Sequence, residues 1–239
     1  MHYLIFCIQD KIDMMDIAVV SCIHGDIENL MKFLDKISLL KIDVVICPGD
    51  FTDFSIPKGF SRLDIGKLIL EELKGLGKPV LTVPGSWDGE LIDFLKKEKV
   101  SVHAEGKIID GIGFYGYGGA KTPFNTPFEP SEGEIELGLE KSYSEIKKAE
   151  IKVQVTHAPP SRTKLDTIVS GAHVGSDAVR VFIERNQPNV AVSAHIHESR
   201  GVDEVGRTKI MNSGRFPEGY IGLIEINDSK ITTKVSSLI

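Results

Sequence analysis

Four histidines and one aspartate follow apolar runs that are typical of buried β-strands. Asp50 ends the stretch DVVICPGD, His24 follows DIAVVSCI, and His157 follows IKVQVT. His195 and His197 come directly after NVAVS and a single alanine. Because ligands collect at the carboxyl ends of strands in open α/β sheets, these side chains can converge although they are far apart in sequence. Imidazole and carboxylate groups together suit Zn, Mn or Fe, so the pattern predicts a metal centre.

Each of these residues also has a simpler interpretation when it is taken alone. A single histidine at a strand end is more often a hydrogen-bonded structural residue, and we interpret His2 and His103 in that way. The AHIH stretch is weak support by itself, because pleating places residues two apart on the same face of any strand. The coincidence of four such histidines with Asp50 is what favours metal binding.

Strand-like and helix-like segments alternate along the chain, and they would place these residues at strand ends. Apolar residues recur at helical spacing from Ile27 to Ile37, and Asp26 is positioned to cap that helix. From Thr208 onwards, the sequence alternates enough to indicate several antiparallel strands. Further helices are predicted over about residues 63–76, 91–97, 135–149 and 176–185. This order predicts an α/β sandwich with mixed sheets.

Composition argues against several classes of protein. With 239 residues, of which 41% are hydrophobic, the chain can bury one substantial core, and residues 16–239 are predicted to form a single domain. Residues 1–15 are predicted to be an N-terminal extension or edge strand, with Met14 or Met15 as alternative starts. The net charge of -6 argues against nucleic-acid binding, and no apolar run approaches the ~18 residues of a membrane span. Three cysteines favour a reducing, cytoplasmic location, and the oligomeric state stays open.

The order of the candidate residues resembles the calcineurin-like metallophosphoesterase superfamily. The family pattern runs Asp-x-His, Gly-Asp, Gly-Asn-His-Asp/Glu, His and Gly-His-x-His. The counterparts in this chain are Cys22-Ile23-His24, Gly49-Asp50, Gly85-Ser86-Trp87-Asp88, His157 and Ala194-His195-Ile196-His197. The stretches THAPP and AHIHESRGVDEVGRTKIMNSG further resemble the Icc-related phosphoesterase branch, and the resemblance covers about residues 16–226.

The resemblance implies a four-layer sandwich of two mixed β-sheets flanked by helices, with one or two divalent metal ions at the strand ends. Carried over by position, the first ion would be held by Cys22, His24, Asp50 and His197. The second ion would be held by Asp50, Ser86, His157 and His195, with Asp50 bridging the pair. Two metal ions held in this way, ~3.5–4 Å apart, activate water and hold a phosphate. The implied partner is a small phosphate-ester substrate, which Arg162 or Arg215 could also contact.

Two of the ligand positions depart from the family pattern. Cys22 replaces an aspartate, and its thiolate would favour Zn at the first site, although the role of a small buried hydrophobic residue is equally open. Ser86 replaces an asparagine, and a neutral hydroxyl is a weaker ligand than an amide oxygen. The alternative for Ser86 is a turn residue after Gly85, which would leave the second ion with three strong ligands.

A third departure lies at the position nearest the chemistry. Trp87 replaces the histidine that, in the family, contacts the phosphate and protonates the leaving group. An indole N–H donates a hydrogen bond but cannot transfer a proton, and general acid catalysis is worth about 10²–10⁴ in rate. Asp88 and His173 are the candidate catalytic substitutes, with a structural role as the alternative for each.

Two functions are consistent with this altered site. The first is a metal-dependent phosphoesterase that hydrolyses a phosphodiester or phosphomonoester with a metal-activated water, at reduced rate or on a narrowed range of substrates. The second is a non-catalytic metal-binding module on the same scaffold that serves in interaction or ligand sensing.

Overall fold

The computed structural model describes residues 14–227 and 230–239, which contain eleven β-strands and five α-helices. The strands are β1 (Met15–Val19), β2 (Val44–Cys47), β3 (Val80–Thr82), β4 (Gly106–Ile109), β5 (Ile112–Tyr117), β6 (Ile151–Thr156), β7 (Val190–Ser193), β8 (Gly201–Val205), β9 (Thr208–Asn212), β10 (Tyr220–Asn227) and β11 (Lys230–Ser237). The α-helices are α1 (Ile27–Ile37), α2 (Arg62–Lys74), α3 (Ile92–Lys97), α4 (Glu132–Glu145) and α5 (Asp177–Asn186). Three 3-10 helices cover Gly89–Leu91, His197–Ser199 and Phe216–Glu218.

The first sheet has the strand order β11-β10-β1-β2-β3. Strands β1, β2 and β3 are parallel, while β10 runs antiparallel to both β1 and β11. Met15 is the buried first residue of β1 and pairs with Ile226. The predicted N-terminal edge strand falls otherwise on residues 1–13, which lie outside the described residues.

The second sheet has the strand order β4-β5-β6-β7-β9-β8. Strands β5, β6, β7 and β9 are parallel, and the edge strands β4 and β8 are antiparallel to their neighbours. Parallel strands that lie side by side bring their carboxyl ends to one edge of the sheet. Both sheets are therefore mixed, as the sequence predicts.

The core has three layers of apolar side chains. Central strands are buried on both faces, which explains why their apolar residues are consecutive rather than alternating. Ile17 and Val19 of β1 pack between the two sheets, whereas Ala18 faces the other way, towards α1 and α2. On the far side of the second sheet, Leu139 of α4 and Phe182 of α5 pack in the third layer. Each fully buried aliphatic or aromatic side chain stabilises the fold by roughly 1.5–3 kcal/mol. The result is the predicted four-layer sandwich of two mixed sheets flanked by helices.

Polar caps fix where the helices begin. Asp26 accepts a hydrogen bond from the backbone N–H of Asn29 at 3.1 Å and starts α1 directly after the first motif, as predicted. Ser61 and Ser131 form capping boxes at α2 and α4, which therefore start slightly earlier than the apolar spacing indicates. In the described part of the chain, none of the helices combines the length and apolar character needed to cross a membrane.

Candidate metal centre

The loops that follow β1 and β2 lie against each other through backbone hydrogen bonds. The N–H groups of Cys22 and His24 donate to the carbonyls of Gly49 and Asp50, each at 3.0 Å. This ladder continues the pairing of two parallel strands beyond their ends. It places the first two motifs side by side at the carboxyl edge of the first sheet.

The loops after β2 and β3 approach each other more closely than side chains would permit. A Cβ atom on Gly49 would lie 2.3 Å from the backbone nitrogen of Gly85, and a Cβ on Gly85 would lie 2.1 Å from that of Asp50. Gly49 also has a φ of +98°, in the left-handed region that favours glycine. Glycine at both positions lets the third motif pack directly against the second.

Four of the candidate ligands have an unusual backbone conformation. Cys22, His24, Asp50 and His195 all have positive φ, with values of 53°, 53°, 55° and 72°. Residues other than glycine adopt this region at a cost of roughly 1–3 kcal/mol each, and such residues cluster at functional sites. These four of the ten described non-glycine residues with positive φ lie where the strand ends turn their side chains towards one another.

The side chains form two neighbouring groups of possible metal ligands. Cys22, His24 and His197 make up the first group, and the candidate ligand atoms of its members all lie within 4.8 Å of one another. The second group consists of Asp50, His157 and His195 and meets the same limit. We call them the cysteine group and the aspartate group.

Asp50 joins the two groups through one oxygen atom. Its Oδ2 lies 3.2 Å from Nε2 of His157 and 3.8 Å from Nε2 of His24. Its other oxygen, Oδ1, accepts a hydrogen bond from the backbone N–H of Trp87 at 3.1 Å. The carboxylate is therefore held by the third motif while Oδ2 faces imidazoles from both groups.

The spacing of the nitrogen and oxygen atoms fits a shared cation. Nε2 of His24 lies 3.2 Å from Nε2 of His197. Two nitrogens bound to one tetrahedral zinc ion at about 2.0–2.1 Å would be about 3.3 Å apart. In the same group, Nδ1 of His24 is buried and has no hydrogen-bond partner among the described residues. The donor types and spacing in the cysteine group thus fit a divalent metal ion.

The orientation of His157 is fixed by a backbone carbonyl. Its Nδ1 lies 2.7 Å from the carbonyl oxygen of Pro48, and because a carbonyl only accepts hydrogen bonds, Nδ1 carries the proton. The other nitrogen, Nε2, faces Oδ2 of Asp50, and although burial opposes it, this carboxylate raises the pKa of His157. A metal ion at Nε2 would take the place of a proton there. Metal-binding histidines generally have this arrangement.

Burial and mutual repulsion keep two of the histidines neutral. Burial lowers the pKa of His195 to about 4, with a further contribution from His157. Burial likewise lowers the pKa of His197 to about 4, assisted by His24. Both rings are therefore neutral at pH 7 and have a lone pair available for a cation.

The acidic groups of the site respond to opposing influences. Burial alone would raise the pKa of Asp50, but the imidazoles of His157 and His24 outweigh it and lower that pKa below its usual range. Burial, followed by the nearby Asp50 carboxylate, raises the pKa of the Cys22 thiol well above its usual value. A thiolate at Cys22 therefore requires a compensating cation.

The structure places Ser86 and Trp87 at the open side of the aspartate group. The buried hydroxyl of Ser86 lies 3.4 Å from Oδ1 of Asp50 and 3.5 Å from Nε2 of His157. The Trp87 indole faces a cavity and packs against Phe54, with ring centroids 6.2 Å apart. The third motif, which differs from the family pattern at Ser86 and Trp87, therefore lies beside the candidate metal ligands and the cavity.

The contacts of Asp88 favour the structural alternative over proton transfer. Its carboxylate accepts hydrogen bonds from the backbone N–H groups of Gly85, Phe51 and Thr52 at 2.8–3.0 Å. Burial and the neighbouring Asp50 raise the pKa of Asp88. With both oxygens engaged and no exposed surface, this residue clamps the second and third motif loops together.

His173 has a similar structural role elsewhere. Its Nδ1 lies 2.7 Å from Oδ1 of the buried Asp166, and its ring does not line the cavity at the metal centre. Asp166 also accepts hydrogen bonds from the backbone N–H groups of Thr163 and Gly175. His173 thus supports the loop after β6 rather than the candidate ligands.

Two adjoining cavities of about 550 and 660 Å³ open above both groups. Arg215, which stands near a motif in the sequence, lines the smaller one, whereas Arg162 instead pairs with Asp177 at 3.2 Å. Phe54 and Phe124 also line the cavities, and sequence reasoning missed them. The position of Phe54 four residues after Asp50 was a usable signal, but nothing in the sequence connects Phe124 to the motifs.

Sequence and structure comparisons show which known proteins this chain is similar to. A sequence model described as calcineurin-like phosphoesterase matches residues 15–199. An uncharacterized protein of Methanocaldococcus jannaschii is 35% identical over 214 residues, which cover 86% of this chain and 90% of that protein. A crystal structure of a Thermus thermophilus protein superposes with a TM-score of 0.69 at 20% identity and covers 95% of this chain and all of that one. The crystal structure of a dimetal phosphatase from Danio rerio superposes with a TM-score of 0.65 at 10% identity and covers 96% of this chain and 97% of that one.

Proposed function

Because this chain belongs to the calcineurin-like phosphoesterase family, we propose that it is a metal-dependent phosphoesterase that hydrolyses a small phosphate ester. The observation that carries the proposal is the position of Asp50. Its Oδ2 lies within 3.8 Å of an imidazole nitrogen from each ligand group. An anionic oxygen that faces imidazole nitrogens of both ligand groups is suited to bridging a pair of cations.

The proposed ligands divide between two ions. Cys22, His24 and His197 hold the first ion together with Asp50, and the thiolate favours zinc there. His157 and His195 hold the second ion, again with Asp50. Ser86 has a hydroxyl close enough to this set to complete it, but it is a weak ligand. When bound, such ions lower the pKa of water and offset the negative charge of a phosphate.

The remaining residues of the site bind and orient the substrate. Arg215 lines the cavity beside His197, and a guanidinium can contact two phosphate oxygens at once. The carbonyl of Pro48 keeps the proton of His157 on Nδ1, away from the substrate side. Trp87 donates no proton to the leaving group, so the rate depends strongly on how readily that group departs.

Hydrolysis of bis-p-nitrophenyl phosphate with added Mn²⁺ or Zn²⁺ tests this proposal. We expect metal-stimulated turnover that is lost in Asp50→Asn and His195→Ala. His103→Asn is the matched control, since His103 is a half-buried histidine that lines neither cavity. Turnover that does not depend on metal, or that survives in both site variants, would refute the proposal.

A second candidate function is favoured by Trp87 and Ser86. Both stand where a phosphoesterase needs a proton donor and a strong ligand, so the site would also suit a non-catalytic module that binds metal and senses a ligand. In that case the double variant Trp87→His with Ser86→Asn should gain activity that the natural protein lacks. If the natural protein is already as active as the double variant, the binding-module interpretation is wrong.

A further inference from the structure

Aromatic side chains stand exposed at the mouth of the metal centre. Phe54 and Phe124 are 72% and 75% exposed, yet both line the cavity that contains His24 and His197. Trp87 lines the same cavity. Exposed aromatic residues grouped around a concave site are typical of ligand recognition.

The wider cavity adds an apolar surface on its other side. Phe124 and Trp87 line this cavity too, together with Ile168 and Val169, and the latter is 91% exposed. Candidate metal ligands line both cavities, Arg215 and Asp53 line the smaller one, and Lys121 and Glu198 line the wider one. A molecule that fits this arrangement has an anionic end at the metal centre and a flat apolar end between aromatic rings.

We propose that the substrate is a phosphate ester of a planar aromatic alcohol, whose ring lies against Trp87 and Phe124. This inference rests on the proposed phosphoesterase function and specifies its substrate class. Aromatic rings prefer offset or edge-to-face contact with other rings, and such contacts add to the energy of area burial. A saturated group of equal size gains the burial but not the ring contact.

The chemistry of the leaving group supports the same class independently. In the hydrolysis, a water oxygen forms a bond to phosphorus and the water loses a proton to solvent, while the bond between phosphorus and the ester oxygen breaks and the ester oxygen keeps the electron pair. The family pattern has a proton-donating histidine at the position of Trp87, whose indole N–H cannot transfer a proton. A phenolic oxygen, with a pKa of about 10, departs as a stable anion without assistance and takes its proton from solvent afterwards. An aliphatic alkoxide is far more basic and departs slowly here.

The chain contains its own probe for this proposal, because Trp87 is its single tryptophan. Binding of phenylphosphonate and of cyclohexylphosphonate to the Zn²⁺-loaded protein can be followed by Trp87 fluorescence. These ligands have similar size and cannot be hydrolysed, but only the first has a planar ring. We expect phenylphosphonate to bind about two- to tenfold more tightly and to change the emission more strongly.

Phe124→Leu tests the contact without disturbing the core, since Phe124 is exposed. This variant should lose most of the preference for the phenyl ligand and should still bind cyclohexylphosphonate. Phe60→Leu is the control, because Phe60 is an exposed phenylalanine that lines neither cavity. It should keep the full preference.

The outcomes separate this inference from the function on which it rests. If both ligands bind equally, or if Phe124→Leu keeps the preference, the aromatic substrate class is wrong even when bis-p-nitrophenyl phosphate is hydrolysed. If neither ligand binds and no metal-stimulated hydrolysis occurs, the phosphoesterase function and the substrate class are both wrong.

Discussion

The residues around Asp50 show how single side chains prepare a site for cations. One oxygen of Asp50 accepts a hydrogen bond from the backbone N–H of Trp87, and the other faces nitrogens of His24 and His157. Removing one partner of a buried charged group leaves the other uncompensated, which costs several kcal/mol. At the scale of single residues, the effects of Cys22 and of His103 can be tested separately.

Cys22 should release a proton when metal binds. Its thiol has a raised pKa in the metal-free protein, so it is protonated at pH 7 and must lose that proton to become a ligand. Calorimetric titration of Zn²⁺ in buffers of different ionisation enthalpy measures the number of protons released. In Cys22→Ser we expect about one proton fewer per chain and weaker binding.

Cys47→Ser is the matched control for that titration. Cys47 is also a buried free cysteine whose pKa burial raises, but it belongs to neither ligand group. Its replacement should leave the proton release unchanged. An unchanged release in Cys22→Ser would show that Cys22 is only a small buried residue.

His103 should make the protein sensitive to acid for a reason unrelated to metal. Burial lowers its pKa to about 4, and its Nδ1 accepts a hydrogen bond from the Gly118 N–H at 3.0 Å. In the unfolded chain His103 is protonated near pH 6.5, whereas in the folded protein it stays neutral down to about pH 4. The free energy of unfolding therefore falls as the pH drops from about 6.5 towards 4. The part due to His103 between pH 6.5 and 4.5 is roughly 2 kcal/mol.

Urea unfolding of metal-free protein at those two pH values measures this effect. His103→Asn keeps an acceptor near the position of Nδ1 but has no group that titrates, so its loss of stability on acidification should be smaller by that amount. An equal loss in the variant and the natural protein would contradict the assignment.

At the scale of elements, the site depends on loops that contact each other through backbone atoms. The loops after β2 and β3 meet at Gly49 and Gly85, and Asp88 bridges them through three backbone N–H groups. The atoms nearest to a Cβ on Gly49 would all belong to the backbone of Pro84 and Gly85. A side chain at this position would therefore displace the third motif. The precision of the ligand groups therefore comes from loop packing as well as from the strands.

Gly49→Ala should disrupt this contact and lower both stability and metal content. The new Cβ would meet the backbone of Gly85 at 2.3 Å, in addition to the cost of a positive φ. Gly59→Ala separates the two effects, because Gly59 has a φ of +92° but nothing within 4 Å of a Cβ among the described residues. We expect Gly49→Ala to be destabilised by at least about 2 kcal/mol more than Gly59→Ala in urea unfolding. Similar losses in the two variants would show that the loops can separate without cost.

The sequence was sufficient for most of the elements, but not for β8, which lies before the predicted tail strands, nor for the contacts between loops. Apolar spacing over 27–37 predicts α1, and the structure begins and ends that helix at the same residues. The helix start at Glu132 was missed, because the Ser131 capping box adds polar residues that apolar spacing does not register. The clamp formed by Asp88 was also not predictable, because nothing in the sequence shows which backbone N–H groups its carboxylate meets. Phe124 reaches the cavity only through the fold, from a loop between β5 and α4.

At the scale of the molecule, the candidate centre joins the two sheets. The cysteine group draws on loops after β1 and β7, and the aspartate group on loops after β2, β6 and β7. Each group therefore includes residues from both sheets. A cation held by either group would connect the two halves of the sandwich and stabilise the fold by mass action.

Removing metal should accordingly lower the melting temperature. With free metal at about 100 times its dissociation constant, the stabilisation is about 2.7 kcal/mol, which corresponds to roughly 5–10 °C for a chain of this size. Differential scanning calorimetry with and without a chelator measures the change. The double variant His24→Ala with His157→Ala should show little response to the chelator. An equal response there would place the stabilising metal elsewhere.

The most direct measurement of the central claim is anomalous X-ray diffraction from crystals grown with Zn²⁺. We expect two anomalous peaks about 3.5–4 Å apart, one at the cysteine group and one at the aspartate group, with Asp50 between them. A single peak at the cysteine group would limit the site to one ion and favour the binding-module function. The absence of any peak at these residues, in crystals grown with saturating Zn²⁺, would show that neither ligand group binds metal.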